Sequence, residues 1–375
     1  MKEQALRMKR STFLTPDQFA REQIAVGVES PRGRLLIAGC RSGTYLAGEV
    51  AHRYQVLLEK AGDTSEVLYL PDLDDHFSDT ETRVRLEAGV SGYDVFLFQA
   101  LYDPLSRRTV DQNYMAFLIA ARAFREYGAN HVTAVLPYLA YARQDKPTRF
   151  EREPTTAQLM ADLGLEAGID RLVTWHPHSR QTPGFYGKQP VDTLPALLLF
   201  IAEFRRFRGR EEVIAVAPDA GASKLITYFG RAMGLDTAIA SKYRPRPEEA
   251  VVAEIMGDFR GKRVAIILDD MISSGGTLEA AVKKLVEEQG IGELHVGVSH
   301  NLCMPQARER LETLHAGYHL HSLVVTNSIP QTESFLDLPF LEVRSLADVL
   351  ARAINRIHYH RAVSELFEEL EEALQ

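Results

Sequence analysis

RVAIILDDMISSGGTLEAAVKKL, residues Arg263–Leu285, decides how the rest of this chain is read. A continuous apolar run ends in two adjacent acids, Asp269 and Asp270. Ser273, Ser274, Gly275, Gly276 and Thr277 follow, and then a helical pattern begins. An unbroken apolar run before a helix reads as a strand covered on both faces, the mark of a parallel sheet. In open α/β sheets, ligands sit beyond the carboxyl ends of the strands. This stretch therefore gathers glycine amides, hydroxyls and a helix N-terminus around one small volume, which suits a phosphate group. Glycine lets the backbone approach an anion closely and take positive φ. Acids cannot serve phosphate, but they suit the paired hydroxyls of a ribose and a magnesium ion between sugar and diphosphate. A Gly-Gly turn with a Ser or Thr cap is a common structural use of such residues. The two acids in front favour the ribose-phosphate reading.

Working outward, short apolar runs alternate with helical patterns. Expected strands include Arg34–Gly39, Val67–Leu70, Asp94–Ala100, His131–Ala140, Arg171–His176, Val213–Asp219, Thr237–Lys242, Leu294–His300 and Ser322–Ile329. Expected helices include Ala47–Ala61, Met115–Gly128, Thr155–Gly168, Ser223–Met233, Leu278–Gln289 and Ala347–Leu374. The alternation predicts an α/β protein with two doubly wound, mainly parallel sheets. AGCRSGTYLAGEV and DDMISSGGTLEAAV read as loosely repeated strand-to-helix turns.

A chain of 375 residues suits two domains. The net charge of −8 argues against a general nucleic-acid or anionic-membrane surface. Cys40 and Cys303 stand far apart without metal-ligand spacing, and they fit a reduced, cytoplasmic setting. No segment approaches the ~20 apolar residues of a membrane span, so neither nucleic acid nor membrane is expected as a partner.

The Asp269–Thr277 stretch resembles the ribose-phosphate loop shared by phosphoribosyltransferases and ribose-phosphate pyrophosphokinases. Further segments resemble the pyrophosphokinases in order: FSDTETRV (Phe77–Val84), VLPYLAYARQDKPTRFEREPTTAQLMADL (Val135–Leu163), WHPHSRQTPGFY (Trp175–Tyr186), VAPDAGASK (Val216–Lys224), SKYRPRP (Ser241–Pro247) and NSIP (Asn327–Pro330). The resemblance covers roughly residues 30–355. It implies two tandem phosphoribosyltransferase-like (type I) domains: residues 1–170, completed by 325–375, and residues 171–324.

The resemblance also implies the chemistry. A ribose-phosphate diphosphokinase moves the β,γ-diphosphoryl group of ATP to the anomeric hydroxyl of ribose 5-phosphate, giving PRPP and AMP. Lys242 and Arg244 match the catalytic pair of a flexible loop, a point charge beside a bidentate phosphate binder. Phe77, Asp79 and Glu81 match an adenine-contacting loop lent to a neighbouring subunit. Arg143, Gln144, Asp145 and His178 match the ATP segments. Asp219, Lys224, Asp269, Asp270, Ser273, Ser274, Gly275, Gly276 and Thr277 match the ribose 5-phosphate site. His178, Asp219 and Asp192 are the expected ligands of Mg²⁺, with His176 as an alternative ligand and Mn²⁺ or another divalent ion as alternative metals. A homo-oligomer, dimer or hexamer, is expected.

Departures mark this chain. His176-Pro177-His178 stands where the family usually has Asp-Leu-His, placing nitrogen where magnesium prefers oxygen. Ser273 stands where bacterial-type members commonly carry Asp and archaeal-type members carry Ser. An acid expected after the glycine–aromatic turn is Gly187 or Lys188. Residues 102–113 (YDPLSRRTVDQN) read as an insertion. These changes keep open a catalytically impaired regulatory relative. A phosphoribosyltransferase fits less well, because it has no use for the ATP segments.

Overall fold

A computed structural model describes residues 27–148, 151–246 and 249–368, and the side chains of 242–253 lie outside the described residues. The chain divides into two compact units, Met1–Thr193 with Leu346–Leu366, and Leu194–Ser345 with Phe367–Gln375. The changes fall at 193/194 and 345/346, where the sequence reading put them at 170/171 and 324/325.

The first unit begins with β1 (Glu29–Ser30), β2 (Gly33–Gly39), helix α1 (Thr44–Lys60) and β3 (Leu68–Leu70). A small antiparallel hairpin follows, β4 (Asp74–His76) and β5 (Thr82–Val84). Next come β6 (Tyr93–Phe98), α2 (Val110–Glu126), β7 (His131–Val135), α3 (Thr156–Ala167), β8 (Arg171–Trp175), α4 (Thr182–Phe185) and β9 (Val191–Leu194). The sheet runs β1-β2-β6-β7-β8-β9, with β3 also on β2. Pairings β2–β6, β6–β7 and β7–β8 are parallel. Every residue of β6 is buried, as a central parallel strand covered on both faces requires.

The second unit adds α5 (Leu197–Glu203), β10 (Val213–Ala217), α6 (Ser223–Met233), β11 (Asp236–Arg246), β12 (Glu249–Met256), β13 (Val264–Ile272), α7 (Gly276–Glu287), β14 (Glu293–Asn301), α8 (Pro305–Gly317), β15 (Leu320–Thr326), α9 (Glu333–Leu336) and β16 (Leu341–Arg344). Its sheet runs β12-β11-β10-β13-β14-β15-β16, parallel except for the antiparallel β11–β12 pair. Ile214, Ile267, Val296 and Val325 of its strands pack with Leu278, Leu285 and Leu311 of the covering helices. The two parallel-dominated sheets are the expected doubly wound architecture.

The chain returns to the first unit through α10 (Ala347–His358). Asp94 of β6 is fully buried and anchors that return: the Arg32 guanidinium donates to both its oxygens at 3.0 Å, and the His358 ring lies 2.8 Å away through Nδ1. Tyr54 of α1 also accepts from Asn355 at 2.8 Å.

Several boundaries differ from expectation. The strand expected over His131–Ala140 ends at Val135, before Pro137, which has no amide hydrogen to continue a ladder. The helix expected over Ala347–Leu374 is interrupted after His358, where His360 takes a φ of +55° that no right-handed helix accommodates; residues 364–368 are helical again, and 369–374 lie outside the described residues. Helix α2 starts at Val110 rather than Met115, because Thr109 and Gln112 form a reciprocal capping box. The end of the apparent insertion is therefore the first turn of a helix. Helix α8 is not among those named from the sequence.

Candidate active site

In the second unit the acids and the glycine turn come together at the carboxyl end of the sheet. Val216 of β10 lies opposite both Ala238 of β11 and Ile267 of β13. Three positions beyond that row stand Ser241, Asp219 and Asp270, on strands about 4.8 Å apart. Asp219 leaves β10 and caps the short turn Ala220–Ala222, its Oδ1 accepting from the Gly221 amide at 2.8 Å. Lys224 follows, exposed on the first turn of α6.

Asp269 and Asp270 end the apolar part of β13, and the Asp269 carboxylate accepts from the Asp270 amide at 2.9 Å. Burial pushes the Asp269 carboxyl well above the ordinary carboxylate range, and repulsion from Asp270 and Asp219 pushes it further. Ser273, Ser274, Gly275, Gly276 and Thr277 are all half-buried. Gly275 sits at φ +80° directly before α7, a conformation that carries no penalty only for glycine. The turn expected from the sequence is present, at a helix N-terminus.

The segment read as a flexible loop, Ser241–Pro247, is paired over much of its length. Lys242 lies opposite Val252 and Tyr243 opposite Val251 in the β11–β12 hairpin. The backbones of Lys242 and Arg244 thus continue the strand beside β10, past the level of Asp219 and Asp270. Their side chains lie outside the described residues, as does Pro247.

In the first unit, Phe77–Glu81 form the tip of the β4–β5 hairpin. The Phe77 amide donates to the Glu81 carbonyl at 2.9 Å, and the Glu81 amide donates to the Asp79 carboxylate at 3.2 Å. Thr80 takes a φ of +76° to close the turn. Phe77 is 50% exposed, with the Arg83 guanidinium 5.3 Å from its ring centroid. An aromatic ring and two acids projecting on a tight turn form a presentable contact surface. Arg108 holds the base of this hairpin: it forms an ion pair with the buried Asp74 and donates toward His76 Nδ1 at 3.1 Å.

Arg143, Gln144 and Asp145 follow Tyr141, which takes a φ of +63°. Arg143 and Gln144 are exposed and Asp145 is half-buried. Gln144 is held by the Thr156 hydroxyl at 2.6 Å, and Asp145 accepts from the Ser179 hydroxyl at 2.8 Å. That second bond brings the RQD segment against the HPHS segment. His178 is exposed and His176 half-buried, the latter at a φ of +40°. Asp192 is engaged elsewhere, accepting from the Arg171 guanidinium at 2.7 Å across the β8–β9 edge. Burial raises the Asp192 pKa, and Arg171 partly offsets this. Among the described residues, no group of three or more His, Cys, Asp or Glu side chains is placed to hold a metal ion. No described helix is long and apolar enough to cross a membrane.

Sequence reading did not single out Arg108, Ser179, Glu279 or Arg310, which position these segments. Only the T-x-x-Q capping box at Thr109 was a local signal near any of them.

Two parallel-dominated sheets, the second of which ends in a strand–acid–glycine–helix turn, define a phosphoribosyltransferase-like enzyme fold. Residues 35–168 match the N-terminal domain of ribose phosphate pyrophosphokinase, and residues 236–368 match the phosphoribosyl synthetase-associated domain. The chain is 35% identical to a ribose-phosphate pyrophosphokinase of Marinomonas sp., covering 78% of this chain and 89% of that protein. It is 34% identical to ribose-phosphate pyrophosphokinase 1 of Listeria monocytogenes, covering 89% of this chain and 98% of that protein. A crystal structure of phosphoribosylpyrophosphate synthetase from Mycobacterium smegmatis superposes with a TM-score of 0.73 at 30% identity, over 86% of this chain and 99% of that one. The chain belongs to the ribose-phosphate pyrophosphokinase family of enzymes.

Proposed function

We propose that this enzyme is a ribose-phosphate diphosphokinase that takes ATP and ribose 5-phosphate to PRPP and AMP. The anomeric oxygen of the sugar attacks the β-phosphorus of ATP. The bond from that phosphorus to the α,β-bridging oxygen breaks, and AMP leaves. Such a transfer depends on positioning and on neutralising charge across phosphate oxygens. The reading is carried by adjacent strand ends of the second sheet, which hold Asp219, the Asp269–Asp270 pair with its glycine turn, and the backbone of Lys242 and Arg244.

In this reading the Ser273–Thr277 turn takes the 5-phosphate, and Asp269 and Asp270 take the ribose hydroxyls. Lys242 and Arg244 neutralise the charge that develops on the transferred group. Arg143, Gln144 and His178 contact the ATP phosphates, and the Phe77 hairpin takes adenine from a neighbouring subunit of a dimer or hexamer. The oxygen donors of Asp219 and Asp269 suit Mg²⁺, which would supply charge neutralisation when bound. In the first unit, His178 and His176 offer nitrogen donors, which suit a softer ion such as Mn²⁺.

The test is AMP release from ATP in the presence and absence of ribose 5-phosphate, with the sugar product identified by mass. Release that depends on ribose 5-phosphate, with PRPP formed, supports the proposal. ATP binding without turnover would overturn it in favour of a regulatory relative. Consumption of PRPP with a nucleobase, and no synthesis, would identify a transferase instead.

A further inference from the structure

Arg310 of α8 reaches the glycine turn from underneath. Its Nη1 donates to the Ser274 carbonyl at 2.5 Å, and its Nε pairs with Glu279 at 2.8 Å. Glu279, on the first turn of α7, also holds Lys283 at 2.8 Å. The same helix closes the underside of the turn. A Cβ built on Gly275 would meet the Ala307 Cα at 3.4 Å and Arg310 Cδ at 3.7 Å, and one built on Gly276 would meet Arg310 Nη1 at 3.6 Å. One face of the turn is thus occupied by α8.

The consequence follows from the peptide plane. In a trans peptide the carbonyl and the following N–H point in opposite directions, and the chain has no cis bond among its described residues. Capturing the Ser274 oxygen on the α8 side therefore aims the Gly275 N–H away from α8. Without that hold, a Ser-Gly-Gly segment has several backbone alternatives, because glycine occupies both signs of φ readily. The Arg310 charge is offset by Glu279, so its effect on an anion comes through orientation more than through its field.

We infer that Arg310 is a positioning residue for the anion-binding turn, setting the affinity for the phosphorylated sugar without touching it. The inference rests on the reading that Ser273–Thr277 holds the 5-phosphate. It predicts a selective defect. Arg310→Met in the full-length enzyme weakens ribose 5-phosphate at least tenfold, by calorimetry and by KM. ATP affinity stays within about twofold, and ribose lacking the phosphate binds the variant as it binds the wild type. Arg310→Lys, which keeps the charge but cannot span both partners, falls between. Guanidinium ion added to the Met variant restores part of the ribose 5-phosphate affinity. A wild-type enzyme that does not bind ribose 5-phosphate overturns the reading of the site and this inference with it. A wild type that binds, with both variants within twofold of it, overturns the inference alone. An equal loss for ATP and ribose 5-phosphate would show a general packing role and would also overturn it.

Discussion

Ser179 donates its hydroxyl to Asp145 at 2.8 Å, joining two segments that stand 34 positions apart in the chain. The bond connects the exposed Arg143–Gln144 turn to the His176–His178 stretch, so the two can act on one ligand. Neither segment is held by a long helix or a strand at that point, and a polar tether of this kind contributes about 1 kcal/mol. Ser179→Ala is expected to raise the KM for ATP by about fivefold while leaving that for ribose 5-phosphate within about twofold. A double-mutant cycle with Asp145→Ala checks it: the two changes should be less than additive by about 0.5–3 kcal/mol. Strict additivity would dissociate the tether from nucleotide binding.

Arg108 gives the 102–113 segment a definite role. Its side chain is 12% exposed and pairs with the fully buried carboxylate of Asp74, which also accepts from the Arg41 amide at 2.6 Å. Breaking one side of a buried pair leaves an uncompensated charge and costs about 3–5 kcal/mol. Arg108→Met should therefore lower the midpoint of urea unfolding substantially, and Arg108→Met with Asp74→Asn should recover part of the loss. Recovery of stability without recovery of ATP affinity would separate the hairpin's packing from its role in presenting Phe77.

The acidic pocket makes a prediction about pH. The Asp269 carboxyl is raised by burial and by Asp270 and Asp219. The folded protein therefore keeps a proton that the unfolded chain, with an ordinary carboxylate of pKa about 3.9, has released. Stability falls as pH rises from that value through the raised one, and the cost is complete only above the raised value. Asp269→Asn keeps the Oδ1 acceptor for the Asp270 amide and removes the charge. It should raise Tm at pH 7 by roughly 2 °C or more, while activity is lost and the stabilisation by Mg²⁺ shrinks. A Tm advantage that persists unchanged at pH 3 would show that ionisation is not the cause.

The backbone of Lys242 lies on the strand beside β10, which leads to Asp219, and in the proposed reaction its charge meets the transferred group. A group that stabilises charge only as it develops lowers kcat and kcat/KM together when removed. Lys242→Ala should reduce kcat by roughly 10²–10³-fold, with the KM values for both substrates changed by no more than about threefold. A defect confined to KM would reassign Lys242 to ground-state binding.

Much of this arrangement was legible in order along the chain. The run VAIILDD announces a buried strand ending in acids, and SSGGT before a helical pattern announces a turn open to an anion. The β13–α7 connection realises the strand and the glycine turn before a helix. The hairpin carrying Phe77 was legible only as a segment, because strands of three residues carry too few positions to show alternation. The break in the expected final helix was missed because periodicity continues past His358, while the turn that interrupts it depends on one residue's φ.

By itself, the sequence determined which strands are buried, where glycine is needed and which side chains can bear charge. Each of these is set by neighbours within a few positions. Only the tertiary structure decided that Arg310 holds Ser274 from 36 positions away, that Arg108 neutralises Asp74, and that Asp192 is committed to Arg171. Such bonds depend on which helix covers which strand end. A polar partner brought in by packing leaves no periodic trace in the residues on either side of it.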